Sequence, residues 1–69
     1  MVSTRIRVTL RDGAVWEEYV SDEEAKRLYT WQGRDDIRLS RVMLVAGSVA
    51  TIEVREPASD EWHLAWKRR

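Results

Sequence analysis

Cysteine is absent from these 69 residues, so no disulfide braces the fold and no thiolate can hold a metal. The single histidine, His63, cannot build a zinc site alone. Phenylalanine is missing, and there are only one proline and three glycines. Those glycines, at 13, 33 and 47, have the flanks of turns, and none belongs to a phosphate-cradling loop. No apolar run approaches the roughly 20 residues of a membrane span. The longest, Val42-Met43-Leu44-Val45-Ala46, has the length of a buried strand. No basic-then-apolar leader opens the chain, so the expected compartment is the cytoplasm. An excess of either charge is missing too. Twelve basic and twelve acidic residues cancel, which removes any overall pull toward nucleic acid or an anionic membrane.

A chain this short makes one small domain. Below about 70–80 residues a lone core rarely supplies more than about 3–5 kcal/mol. With disulfides and metals excluded, oligomerisation is the remaining supplement, and a homodimer is expected. Four tryptophans and two tyrosines also overfill so small a core.

What is present is strong local code. Thr4, Ile6, Val8 and Leu10 alternate with Arg5, Arg7 and Thr9, the period-two pattern of a half-buried strand over residues 3–10. Asp12-Gly13 separates this run from a second one, residues 14–20, and Asp-Gly is a hairpin signal because glycine accepts positive φ without a Cβ clash. Two registers fit. A two-residue turn pairs Leu10 with Val15 and turns Glu17 to the apolar face. A three-residue turn with a bulge at Gly13 pairs Val8 with Trp16 and turns Glu18 there instead. Ser21 and Glu24 then form a capping box, which starts a helix over residues 22–31. Ala25, Leu28 and Tyr29 make its buried stripe, and Gly33 follows as the C′ residue.

A third strand is expected from Ile37. Its alternation changes phase near Ser40-Arg41, through a bulge or through burial on both faces. Gly47-Ser48 makes a turn, and residues 49–55 form a fourth strand with Ala50, Ile52 and Val54 inward. Pro57 ends the sheet. Ser59 has the position of an N-cap for a last helix, with Asp60 and Glu61 in its first turn and Lys67, Arg68 and Arg69 in its last. The expected fold is α+β: a four-stranded antiparallel sheet with one helix after strand two (ββαββ, residues 1–56) and a C-terminal helix or tail (residues 57–69). A small SH3-like barrel is the alternative if strand three bends sharply.

Nothing here assembles catalysis. His63 has no nucleophile or acid placed beside it by motif, and the paired acids point to opposite faces of a strand or cap a helix. No catalytic residue, metal or cofactor is expected. Ten of the twelve basic residues are arginine; arginine and tryptophan concentrate binding energy at interfaces. Trp62 and Trp66 would share one face of the last helix. That tail either folds over the bare face of its own sheet, swaps onto another protomer, or docks on a partner; a three-residue basic cluster is thin for a membrane. Arg5, Arg7 and Arg11 would line the outer face of strand one as a second surface, joined on the sheet by Arg38, Arg41 and Arg55.

The runs Val8-Thr9-Leu10-Arg11-Asp12-Gly13, Val20-Ser21-Asp22-Glu23-Glu24-Ala25 and Val49-Ala50-Thr51-Ile52-Glu53-Val54 resemble small uncharacterised proteins of bacterial prophages and other mobile elements. The resemblance spans about residues 5–55. It implies a compact ββαββ domain and a mobile-element origin, and some such proteins inhibit host defence enzymes, anti-CRISPR proteins among them. It carries over no functional residue. The expected function is a non-enzymatic protein that docks on a protein partner through Trp62, Trp66, Arg5, Arg7, Arg38 and Arg41. The alternative is a nucleic-acid-binding module that uses the arginine-lined sheet face.

Overall fold

Two local devices organise the first half of the chain, and the computed structural model, which describes residues 4–69, shows both at atomic detail. The expected beginning of the first strand at Ser3, and of the 1–56 unit at Met1, lies outside the described residues. Strands β1 (Thr4–Leu10) and β2 (Val15–Val20) pair with Val8 opposite Trp16 and Thr4 opposite Val20. The three-residue turn is therefore the one adopted. Gly13 sits at φ +95°, its amide donates to the Leu10 carbonyl at 2.9 Å, and Asp12 Oδ1 accepts from the Ala14 amide at 2.9 Å. This register turns Glu18 to the same side as Ile6, and Arg41 meets it there at 3.7 Å.

Helix α1 (Asp22–Thr30) starts on the expected capping box. The Glu24 amide donates to Ser21 Oγ at 3.2 Å, and the Ser21 amide donates to Glu24 Oε1 at 2.9 Å. Ala25 and Leu28 are buried, whereas Tyr29, expected in the stripe, is exposed. Tyr29 instead lines an open cleft with Thr4, Ala25 and Val54, at the margin of the helix–sheet contact. Gly33 is not the C′ residue either. The helix closes at Trp31 in an extended conformation, and Gly33, at φ +76°, has a different role described below.

The expected third strand is two strands. β3 (Ile37–Arg38) and β4 (Met43–Leu44) pair with Ile37 opposite Leu44, and the Leu39 amide donates to the Val42 carbonyl at 2.8 Å to close the turn between them. The phase change at Ser40-Arg41 is thus a reversal of the chain. It lets Ile37, Leu39 and Leu44 all reach the core. A single 3-10 turn, Ala46–Ser48, leads into β5 (Val49–Arg55).

The last segment departs from the expected C-terminal helix or tail. His63–Lys67 is strand β6, not a helix, and it completes a four-stranded antiparallel sheet of order β2-β1-β5-β6. The fourth strand is therefore supplied by the segment expected as a helix or tail, not by residues 37–46. Ser59 caps a turn: its amide donates to the Glu56 carbonyl at 3.1 Å, and its Oγ accepts from Glu61 at 3.1 Å. The free edge of β5 offered a ladder of backbone partners, and a ten-residue helix is marginal without a packed face. β2 and β6 are both edges, so the sheet is open and no barrel closes.

Ile6, Val8, Ile52 and Val54 form the floor of one core, roofed by Leu28, Ile37, Leu39 and Leu44. All the covering elements lie on this one face. Among the described residues no helix is long and apolar enough to cross a membrane.

Candidate binding face

Because side chains alternate along a strand, burying Ile6 and Val8 turns Arg5, Arg7 and Thr9 to the opposite face, and burying Ile52 and Val54 does the same for Thr51, Glu53 and Arg55. No described element covers that face. The register arranges it in cross-strand rows. Tyr19, Arg5 and Arg55 form one row, and Glu17, Arg7, Glu53 and Leu64 form the next. Neighbours across strands interact directly. Glu17 lies 3.1 Å from Arg5 and 3.7 Å from Arg7, and Arg7 reaches Glu53 at 3.4 Å on its other side.

Trp62 lies against these rows from the chain entering β6. The Arg7 guanidinium stands 4.0 Å from the ring centroid and that of Arg55 5.3 Å away. Arg5 lies 5.2 Å from the Tyr19 ring. A guanidinium over an indole gains from the ring quadrupole and keeps its forked donors free at the edge. The result is a set of side chains in mutual contact, Arg5, Arg7, Glu53, Arg55 and Trp62 half-buried and Glu17 and Tyr19 exposed, with Leu64 (57% exposed) and Val15 (56% exposed) at the rim. Chemically this face can offer apolar area, charge-assisted donors and two carboxylates in a fixed pattern.

The six residues expected to bind a partner are not brought together. Arg5, Arg7 and Trp62 share the open face. Trp66 is on the other face: it lies opposite Ile52, and its ring centroid is 4.7 Å from that of Trp31. The cause is a bulge. The register between β5 and β6 shifts between Ile52 and Glu53, so two tryptophans four apart, which would share a face of a regular strand, point to opposite sides. Arg38 and Arg41 sit in the β3–β4 hairpin, where Arg41 pairs with Glu18 and the Arg38 carbonyl accepts from Arg27 Nη1 at 3.3 Å. They do not extend the arginine row of the sheet. Arg55 does. Its outward position follows from strand alternation, while the stacking of Trp62 between two arginines has no signal in the sequence. All four tryptophans are half-buried within the one chain.

The titration of Glu24 is clearly displaced. The Ser21 amide and then the Ser40 amide, at 2.9 and 2.5 Å, hold its carboxylate in the charged form. Its pKa falls from the ordinary 4.5 to about 2. The two bonds tie the start of α1 to the β3–β4 turn, beside a cleft of about 660 Å³ that includes Arg27 and Arg38. This is a clamp between covering elements. Among the described residues no group of three or more acidic or histidine side chains is placed to hold a metal ion.

No family model matches the chain, and comparisons with curated proteins and with solved structures return no match.

Proposed function

We propose that this protein is a non-enzymatic binding module that occupies the surface of a protein partner with the open face of its sheet. The observation that carries the proposal is Trp62 held between Arg7 and Arg55 on a face that no described element covers. Tryptophan, tyrosine and arginine are the side chains that concentrate binding energy. Here they are ordered before contact, so little side-chain entropy is lost when a partner arrives. Glu17 and Glu53 favour a protein over a nucleic acid. They lie on both sides of Arg7 within ion-pair distance, neutralise it, and would repel a phosphate backbone laid across the face. A blocking protein of a mobile element, acting on a host enzyme, is the form of this function that the sequence resemblance implies.

Affinity capture from a host lysate, with nuclease and at moderate salt, tests the proposal when followed by chemical-shift mapping with the captured protein. Shifts confined to Trp62, Arg7, Glu53 and their neighbours, lost in Trp62→Ala, support it. Recovery of nuclease-sensitive nucleic acid alone, or a footprint on the helix side, overturns it. A solution mass twice the 8.1 kDa of one chain that falls to the monomer in Trp62→Ala identifies the occupant as a second copy.

A further inference from the structure

The loop after α1 and the end of β6 face each other across a cleft of about 600 Å³, on a different part of the molecule from the open face. All its charged lining residues are basic: Arg34, Lys67, Arg68 and Arg69. Trp66 and Gly33 complete the part that matters here. In a chain of zero net charge this is a local segregation, and the cations are unneutralised. None of the ion pairs among the described residues involves any of the four. The neighbouring acids Asp35 and Asp36 do not line the cleft, and Asp36 Oδ1 is engaged by the Ala46 amide at 2.9 Å.

One wall is rigid. Arg68 donates its backbone amide to the Ala50 carbonyl at 2.9 Å and Nε to the Val49 carbonyl at 2.8 Å, and its Nη2 bonds the Ala46 carbonyl. Its guanidinium lies 5.1 Å from the Trp66 ring. Gly33 lets the loop close on that ring, since a Cβ there would stand 2.2 Å from Trp66 Cζ2. Arg34, Lys67 and Arg69 are exposed, and their side chains make no hydrogen bond among the described residues. They are free donors around a fixed floor.

We propose that this cleft binds a ligand bearing linked phosphates. A single carboxylate would leave most of this charge uncompensated, whereas a polyphosphate supplies several charges and many acceptor oxygens. Arginine forks match phosphate oxygens in geometry as well as sign. The volume lies within the ~300–1,000 Å³ of small-molecule sites. A nucleoside triphosphate and a short phosphodiester strand both carry this chemistry, and both could set a ring beside Trp66.

Titration of the ¹⁵N-labelled full chain in 0.1 M salt with inorganic triphosphate, ATP, adenosine and an oligothymidylate distinguishes these sources. Saturable shifts with triphosphate at Arg34 and Lys67, and none with adenosine, are expected. Tighter binding of ATP than of triphosphate identifies a nucleotide; tighter binding of the oligothymidylate identifies a strand. Arg34→Gln and Lys67→Gln should each weaken triphosphate about fivefold to tenfold, as loss of a charge-assisted contact does. Arg41→Gln, in the β3–β4 hairpin against Glu18, and Trp62→Ala should leave it unchanged. The proposal is overturned if triphosphate gives no saturable shift, if the strand binds and triphosphate does not, or if Arg41→Gln weakens binding as much as Lys67→Gln. It does not rest on the open face, so either assignment can fail alone.

Discussion

The Arg7 guanidinium stacks on the Trp62 ring at 4.0 Å from its centroid, joining a central strand to the chain that leads into the edge strand. Arg7 is also the residue that Glu17 and Glu53 share. Removing either member should disturb the other more than it disturbs the fold. A double-mutant cycle with Trp62→Ala and Arg7→Ala, read by thermal or urea unfolding, should give a coupling of about 0.5–1 kcal/mol, the size of an exposed cation–π contact. A coupling near zero would mean that the stacking orders nothing.

Gly33 and Trp66 should behave as a pair. Gly33→Ala meets both a positive φ of 76° and the Trp66 ring, and should destabilise by about 1–3 kcal/mol. Trp66→Ala removes a half-buried indole from its contact with Trp31 and should cost about 2–4 kcal/mol, somewhat below a fully buried tryptophan. In the double variant the steric part of the glycine effect vanishes. Its combined cost should therefore be less than the sum, which urea unfolding of the four proteins measures.

Glu24 predicts a pH dependence. Its folded pKa is depressed to about 2 from 4.5. The stability it contributes is fully present above about pH 4.5 and is lost as the pH falls toward 2. Melting temperatures recorded across this window should fall less in Glu24→Gln than in the native chain. At pH 7, Glu24→Ala should cost about 1–2 kcal/mol, as loss of a helix cap does.

The β2 edge is guarded by its own side chain. Glu18 Oε1 accepts from the Tyr19 amide at 2.8 Å on the exposed edge, which occupies a donor that another strand could use. Glu18→Val should keep the fold and raise self-association at high protein concentration, as measured by light scattering. An unchanged mass would show that the edge needs no guard.

Legibility followed the range of the interaction. The Asp12-Gly13 turn and the Ser21/Glu24 capping box depend on atoms within a few residues of one another, and both were readable, although the register of the hairpin was decided only by the structure. Tyr29 was misplaced because helical periodicity gives the side of the helix that faces the sheet but not how closely that side is covered, and Tyr29 borders an open cleft. Ser59 has the chemistry of an N-cap, and the same hydroxyl serves a turn equally well. The candidate face was half legible. Alternation put Arg5, Arg7 and Arg55 on one side, but nothing local placed Trp62 over them or separated it from Trp66.

Alternation, turn chemistry and capping in the sequence were enough to dictate β1, β2, α1 and β5, their order, and the side of β1 that enters the core. These are preferences of short segments, set by sterics and by hydrogen bonds within a few residues. The β2 register stayed open in the sequence, and a shift opposite Leu10 put Val49 rather than Ala50 into the core. Three further features depended on distant partners. Residues 63–67 became a strand because β5 had an unpaired edge to fill. A bulge opposite Ile52 and Glu53 reversed the facing of Trp62 relative to Trp66. Chain closure then brought Arg34 beside Lys67 and Arg69, gathering charges that the linear sequence holds more than thirty residues apart. Pairing, bulging and closure are decided by backbone groups and apolar surface contributed from elsewhere in the fold, which no local pattern encodes.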